Sequence, residues 1–169
     1  MARIYAKGVI ADDTWRPLHD GEVAARGGLV FAPITRWLAL SLADQSRTGV
    51  TLAAHEAGES DLARLARAPL VVITLPAFTD GRAYSVARTL RERHHYTGDL
   101  RAAGDVLLDQ IPLLERCGFT SFAITHGPTL DALSRGHIPA IATTYQRATL
   151  ARYLSIRPTL QTVHEEPSA

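Results

Sequence analysis

A run of branched apolar residues that gives way at once to polar turn residues constrains the fold of this chain most strongly. Residues 70–75, LVVITL, are too few for an ordinary helix and show no alternation of polar and apolar positions, which is typical of a strand buried on both faces. Thr79 and Asp80 are good helix N-caps, and apolar residues then recur at helical spacing from Ala83 to Leu90. The sequence therefore predicts a buried strand, a turn over residues 78–82 and a helix.

A second strand-helix unit follows directly. Leu100 to Ala103 are predicted to form a short strand, Gly104 and Asp105 the turn and cap, and the residues beyond them a helix that Pro112 kinks or restarts. Parallel strands end at one edge of a sheet, where α/β proteins bind ligands. We therefore expect four charged residues to converge on one pocket at that edge: Asp80, Arg82, Arg101 and Asp105.

The rest of the chain continues the alternation of strands and helices, which predicts a single α/β domain over residues 1–160. We expect about five consecutive βα units forming a parallel sheet, including the strands that start at Leu70, Leu100 and Phe119. The expected parts are an N-terminal β-hairpin over 3–18 with its turn at 11–13, βα units over 28–136, a C-terminal helix over 144–154 and a flexible tail over 161–169.

Two architectures fit this alternation. One is an open flavodoxin-like sheet with helices on both faces, and the other is a partial (β/α)-barrel. An arginine inside an open sheet would need a buried partner, whereas a strand that lines a barrel can point an arginine at a ligand. Arg101 therefore favours the partial barrel.

Composition excludes several classes of protein. The chain has 169 residues, 18 basic and 17 acidic, so its net charge of +1 gives no sign of nucleic-acid binding. Cys117 is the single cysteine, which excludes an internal disulfide and argues against a cysteine-ligated cluster. The N-terminus lacks a signal peptide and no segment is apolar enough to cross a membrane, so we expect a cytoplasmic protein.

The turn after the first strand has the residue types of an anion site. A helix N-terminus offers free N–H groups, and an arginine adds a bidentate donor. A plain helix cap with a surface arginine would look the same. The predicted ligand-binding residues are Thr79, Asp80, Gly81, Arg82, Arg101, Asp105, Asp109 and Gln110, and Asp80 and Asp105 are the candidates for a general base.

Other sequence features give no site. His94 and His95 adjoin each other at a helix end, where the helix dipole favours a positive imidazole, and further metal ligands at suitable spacing are not evident. The glycine-rich fingerprints of nucleotide, nicotinamide and flavin sites do not occur. We therefore expect neither a metal nor a bound cofactor.

Three blocks of sequence resemble a bacterial family of unknown function, often given an oxidoreductase label. The blocks are LPAFTDGRAYSVARTLRER, YTGDLRAAGDVLLDQ and LERCGFTSF, and the resemblance is strong over residues 70–122. Genes of that family commonly lie beside those for sulfite reductase and phosphoadenosine phosphosulfate reductase. The resemblance thus implies an accessory or small enzymatic component of assimilatory sulfate and sulfite reduction, with one of those reductases as partner.

Two other functions stay open. The anion site is also typical of a (β/α) lyase or isomerase that acts on a phosphate or sulfonate ligand. A non-catalytic docking subunit of sulfite reductase is the third reading, and whether the chain is an enzyme is left undecided by the residues themselves.

Overall fold

The computed structural model describes residues 3–19, 22, 28–75 and 81–137, and this part of the chain forms eight strands and six α-helices. The strands are β1 (Arg3–Ala6), β2 (Val9–Asp12), β3 (Arg16–Pro17), β4 (Val30–Pro33), β5 (Gly49–Ala53), β6 (Leu70–Leu75), β7 (Asp99–Gly104) and β8 (Ser121–Ile124). The helices are α1 (Ile34–Leu38), α2 (Leu42–Gln45), α3 (Glu59–Leu65), α4 (Arg82–Glu92), α5 (Ile111–Cys117) and α6 (Gly127–Ser134), with a 3₁₀ turn at Leu108–Gln110.

Six strands pair parallel in the order in which they occur along the chain. The sheet has the order β2-β1-β8-β7-β6-β5-β4-β3, and every pair from β3 to β8 is parallel. This confirms the predicted parallel pairing of the strands at Leu70, Leu100 and Phe119. The sheet is nevertheless mixed and not wholly parallel, because β1 pairs antiparallel with both β8 and β2.

The helices pack on one face of the sheet. Alternate strand residues, such as Val71 and Leu100, join α1, α3, α4, α5 and α6 in one large apolar core. The residues between them face the other side, called the inner face below, where Trp15, Leu70 and Val72 form a second and smaller cluster. Helices on one face and strands in sequential order give a single α/β domain curled as a half-barrel, so the flavodoxin-like alternative is wrong.

The N-terminal hairpin is shorter than predicted. Its turn lies at Lys7 and Gly8, which have φ values of 49° and 83°, and β1 and β2 pair across it. Two residues with positive φ are typical of a tight hairpin turn whose twist matches that of its strands. Arg16–Pro17 is not part of this hairpin, because it pairs with β4 at the far edge of the sheet.

The segment after β7 also differs from the prediction. Asp105 does not begin a helix; an extended segment and the 3₁₀ turn separate it from α5. Pro112 is the second residue of α5, where its missing N–H costs no helical hydrogen bond, so the helix starts there and is not kinked. Gly118 ends α5 in the left-handed conformation (φ 111°), as expected for a C-cap glycine.

Candidate functional site

The first group of predicted site residues lies at the start of α4. Gly81 is the N-cap residue of this helix and Arg82 its first residue, and both are exposed at the edge where the parallel strands end. The first turn of α4 contains no acidic residue. Thr79 and Asp80 lie outside the described residues, as do the predicted C-terminal helix and tail.

The second group lies on the loop that follows β7. Asp105 is exposed, and its backbone N–H donates to the carbonyl oxygen of Leu75 at the end of β6 (3.2 Å). Asp109 is exposed too, whereas Gln110 closes the loop by accepting the backbone N–H of Leu107 (2.9 Å). This group therefore shares the sheet edge with the start of α4.

Tyr84 connects the two groups. Burial raises the pKa of its phenol above the usual value, and the nearby side chain of Gln110 partly offsets this rise. The helix α6 packs against the same 3₁₀ turn, and its N-cap His126 has Nδ1 2.8 Å from the Thr129 hydroxyl. The edge thus carries an arginine, a phenol, an amide and an imidazole, of which sequence reasoning had missed Tyr84 and His126.

Arg101 does not belong to this edge group. Its side chain is only 3% exposed and lies on the inner face, where NH1 donates to Asp13 Oδ1 (2.9 Å) and NH2 to Asp99 Oδ2 (3.3 Å). Its Nε donates to the Ser121 hydroxyl (3.1 Å). The carboxylates that neutralise Arg101 are therefore Asp13 and Asp99, and the expected convergence of Arg101 with Arg82 and Asp105 at the edge is wrong.

Asp99 is buried under a set of hydroxyl groups. Thr120 Oγ1 donates to Asp99 Oδ1 (2.7 Å), and Ser121 Oγ lies 2.8 and 2.9 Å from its two oxygens. Both hydroxyls stand at the start of β8, beside the start of β7. In a parallel sheet this end supports stability more often than chemistry, so we interpret the cluster as structural.

The polar network continues to the helix-covered side through Tyr96 and Arg91. Tyr96 donates its hydroxyl to the carbonyl of Asp99 (2.8 Å), and burial raises the pKa of Tyr96 well above its usual value. The fully buried Arg91 lies 5.0 Å from the centroid of that ring and donates to the carbonyls of Tyr96 (2.6 Å), Gly98 (3.0 Å) and Gly118 (2.9 Å). Arg91 therefore orders the loop that leads into β7.

The potential metal ligands and the single cysteine of the described residues do not lie together in one cluster. Residues 3–19, 28–75 and 81–137 contain no group of three or more histidine, cysteine, aspartate and glutamate side chains arranged to hold a metal. Cys117 is buried in the core, and burial raises the pKa of its thiol, which lowers its nucleophilic fraction at neutral pH. The longest helix of this part, α4, has 11 residues, and none is long and apolar enough to span a membrane.

Taken as a class, the molecule is an α/β half-barrel with polar residues gathered at the carboxyl edge of its parallel strands. The chain belongs to a bacterial family of unknown function, DUF934, whose model matches residues 49–153, more than half of the 169-residue chain. This confirms the family that the sequence blocks indicated. Searches of curated proteins and of solved structures found no match.

Proposed function

We propose that the protein is an accessory or small enzymatic component of assimilatory sulfate and sulfite reduction that binds a small oxyanion at the carboxyl edge of its sheet. The observation that supports this most is the start of α4, where Arg82 is exposed beside helix N–H groups and no acidic residue occupies the first turn. Such an N-terminus favours an anion electrostatically.

Two of the described helices carry acidic residues in the first turn, whereas α1 and α5, like α4, carry none. The first turn of α3 carries Glu59 and Asp61, and that of α2 carries Asp44, which compensate the positive ends of those helices. The first turn of α6, which starts at the same edge as α4, has no acidic residue. A helix N-terminus without a carboxylate in its first turn favours an oxyanion electrostatically, and at α4 Arg82 adds a guanidinium at the same edge.

The link to sulfur metabolism comes from the family resemblance and from the chemistry of the ligand. Sulfate, sulfite and the sulfated nucleotides of this route are all oxyanions that an arginine can bind in bidentate fashion. Binding of such a substrate needs no redox group in this chain, because the partner reductase would supply the electrons.

The first test is the effect of sulfate, sulfite and adenosine phosphosulfate on the melting temperature. Each ligand should raise it for the parent protein in buffer of constant ionic strength, because a ligand bound only to the folded state stabilises that state. Arg82→Ala should abolish the rise. Arg93→Ala, at the other end of α4 in an exposed pair with Glu59, is the matched control and should retain it. An equal rise in both variants would contradict the proposed site.

A second test addresses the partner. Sulfite reductase and phosphoadenosine phosphosulfate reductase should each be tested for capture by the immobilised protein, with and without sulfate. Capture that is independent of both sulfate and Arg82 would favour the non-catalytic docking subunit over an oxyanion-binding component.

A lyase or isomerase acting on a phosphate or sulfonate ligand is the alternative that the fold favours. Strands in sequential parallel order with helices on one face are the arrangement of (β/α)-barrels, whose reactive groups stand at the carboxyl ends of the strands. The exposed carboxylate of Asp105 would then be the base. Turnover of a phosphorylated substrate that Asp105→Asn abolishes, with binding unchanged, would favour this alternative.

A further inference from the structure

A cleft on the inner face is separate from the edge described above. Its volume is about 740 Å³, and it lies between the segment that joins β2 to β3 and the side chain of Phe31 in β4. The residues that matter for its chemistry are Asp12, Asp13, Trp15, Arg16, Pro17 and Phe31. All of them belong to the described part of the chain.

One carboxylate in this cleft is held in a fixed orientation. Asp13 Oδ1 accepts both the guanidinium NH1 of Arg101 (2.9 Å) and the backbone N–H of Trp15 (3.0 Å). Its Oδ2 accepts no hydrogen bond from the described residues, and the side chain is 15% exposed. The buried arginine therefore orients the carboxylate while leaving one of its oxygens available to a ligand.

The walls of the cleft are aromatic and apolar. The ring of Trp15 packs on the buried strands beside Leu70, and Phe31 and Pro17 complete the apolar surface. Trp15 Nε1–H has no acceptor within the described chain, but it is buried beneath this wall and is not exposed to a ligand in the cleft. Trp15 is only 5% exposed, so Phe31 and Pro17 supply most of the surface against which a flat ligand can pack.

The charges at the rim disfavour an anion. Arg16 is engaged with the carboxylate of Glu22 through both of its terminal nitrogens, so its charge is already balanced. Asp12 adds a carboxylate at the same rim, paired at 3.6 Å with Arg3. The cations and carboxylates at the rim are therefore paired, and the acceptor that a ligand meets is Asp13 Oδ2.

We infer that this cleft binds a flat aromatic ligand bearing an amidinium or guanidinium group. The donor group meets Asp13 Oδ2, and the ring packs against Trp15 and Phe31. The Arg101–Asp13 pair then orients the ligand, in addition to stabilising the fold. The edge site and this cleft accept ligands of opposite charge, so the two can be tested independently.

Benzamidine and benzoate form a matched pair of probes, because they share size and flatness and differ in the sign of their charge. Titration of the parent protein with benzamidine should perturb the Trp15 indole signals in two-dimensional NMR in a saturable way, with intermolecular NOEs to that ring. Trp15→Phe assigns those signals against Trp37, which is fully buried and bonded to the Thr48 carbonyl. Benzoate should have no such effect.

Substitutions of Asp13 and Asp12 distinguish a direct contact with the ligand from a general electrostatic attraction. Asp13→Asn should weaken benzamidine binding at least tenfold, whereas Asp12→Asn should weaken it less than threefold. Should Asp13→Asn fail to fold, the NOEs in the parent protein still decide the matter. Equal binding of the two probes, an absence of benzamidine binding to the parent, or NOEs only to residues outside the cleft would each overturn the inference.

Discussion

At the scale of single residues, Arg101 shows how a buried charge is made tolerable. Two carboxylates and one hydroxyl surround the guanidinium, and the hydroxyls of Thr120 and Ser121 satisfy Asp99 in turn. Removal of one member leaves the others desolvated without a partner, which costs more than the intact pair contributes. Because the network is buried, the loss of one member destabilises the folded state through the partners that it leaves behind.

Arg101→Ala should accordingly lower the free energy of unfolding by about 3–5 kcal/mol, because Asp99 would remain buried without its cation. Urea unfolding measures this change. Arg93→Ala removes an exposed pair and should cost no more than about 1 kcal/mol. A loss below about 1 kcal/mol for Arg101→Ala would mean that the network is far better hydrated than its geometry indicates.

Glu115 gives a prediction about pH. Burial raises the pKa of this carboxyl above its usual value. Between the unfolded pKa, about 4.3, and the higher folded pKa, the folded state keeps a proton that the unfolded state has released. Stability therefore falls as pH rises through that window.

Glu115→Gln removes this penalty and should raise the free energy of unfolding at pH 7, with the advantage disappearing below about pH 4. Unfolding curves at the two pH values test it. Glu92→Gln, at an exposed position on α4, is the control and should not show a gain at neutral pH. A gain of the same size at both pH values would point to packing and not to ionisation.

At the scale of elements, glycines with positive φ determine where strands end. Gly104 ends β7 with φ 93°, and a Cβ there would contact the backbone oxygen of Leu75 in the neighbouring strand. Gly8 has a similar φ of 83° in the hairpin turn, but open space surrounds its Cβ position. The two glycines therefore share a backbone conformation, but only at Gly104 would a Cβ meet a neighbouring strand.

Alanine at Gly8 should cost about 1–2 kcal/mol, the ordinary price of a left-handed residue with a side chain. Alanine at Gly104 should cost more than about 3 kcal/mol, because the strand end must move away from β6 as well. Thermal and urea unfolding of the two variants give the comparison. Equal losses of stability in the two variants would show that the end of β7 can move away from β6 at little cost in free energy.

Local sequence patterns predicted an element correctly where the residues of that element determine its conformation by themselves. The apolar run of β6 and the C-cap Gly118 specify their own conformations, and both are confirmed. The hairpin was wrong because Asp12 and Asp13 look like a turn, whereas the positive φ that builds the turn belongs to Lys7 and Gly8. The helix predicted at Asp105 was wrong for a related reason: a capping residue can begin a helix, but here the extended segment and Pro112 delay it.

At the scale of the whole molecule, the limit of sequence reasoning lies in contacts between distant residues. Asp99 and Arg101 are two apart on β7 and so share a face, but the predicted strand began at Leu100 and left Asp99 out. Asp13 is 88 positions from Arg101 and meets it only because the segment after β2 crosses the inner face. The edge position of Arg82 and Asp105 could be predicted because parallel strands bring their ends together, whatever the length of the connections.

The segment that joins β2 to β3 across the inner face, residues 13–15, also connects the two edges of the sheet. It leads from β2 at one edge to β3 at the other, and Trp15 packs midway against the central strand β6 through Leu70 and Val72. Among the described residues, the helices cover only the opposite face. Trp15 is therefore the main apolar cover of the inner face in this part of the chain.

Trp15→Ala should lower the free energy of unfolding by about 3–5 kcal/mol through lost packing and the cavity left behind. Native-state hydrogen exchange should show a larger loss of protection in β3 and β4 than in β1 and β2, because the far edge loses its tie while the hairpin keeps its pairing with β8. Trp15→Phe retains a ring and should show a smaller effect of the same pattern. A uniform loss of protection over all eight strands would show that the sheet opens as one unit and that Trp15 does not hold one edge in particular.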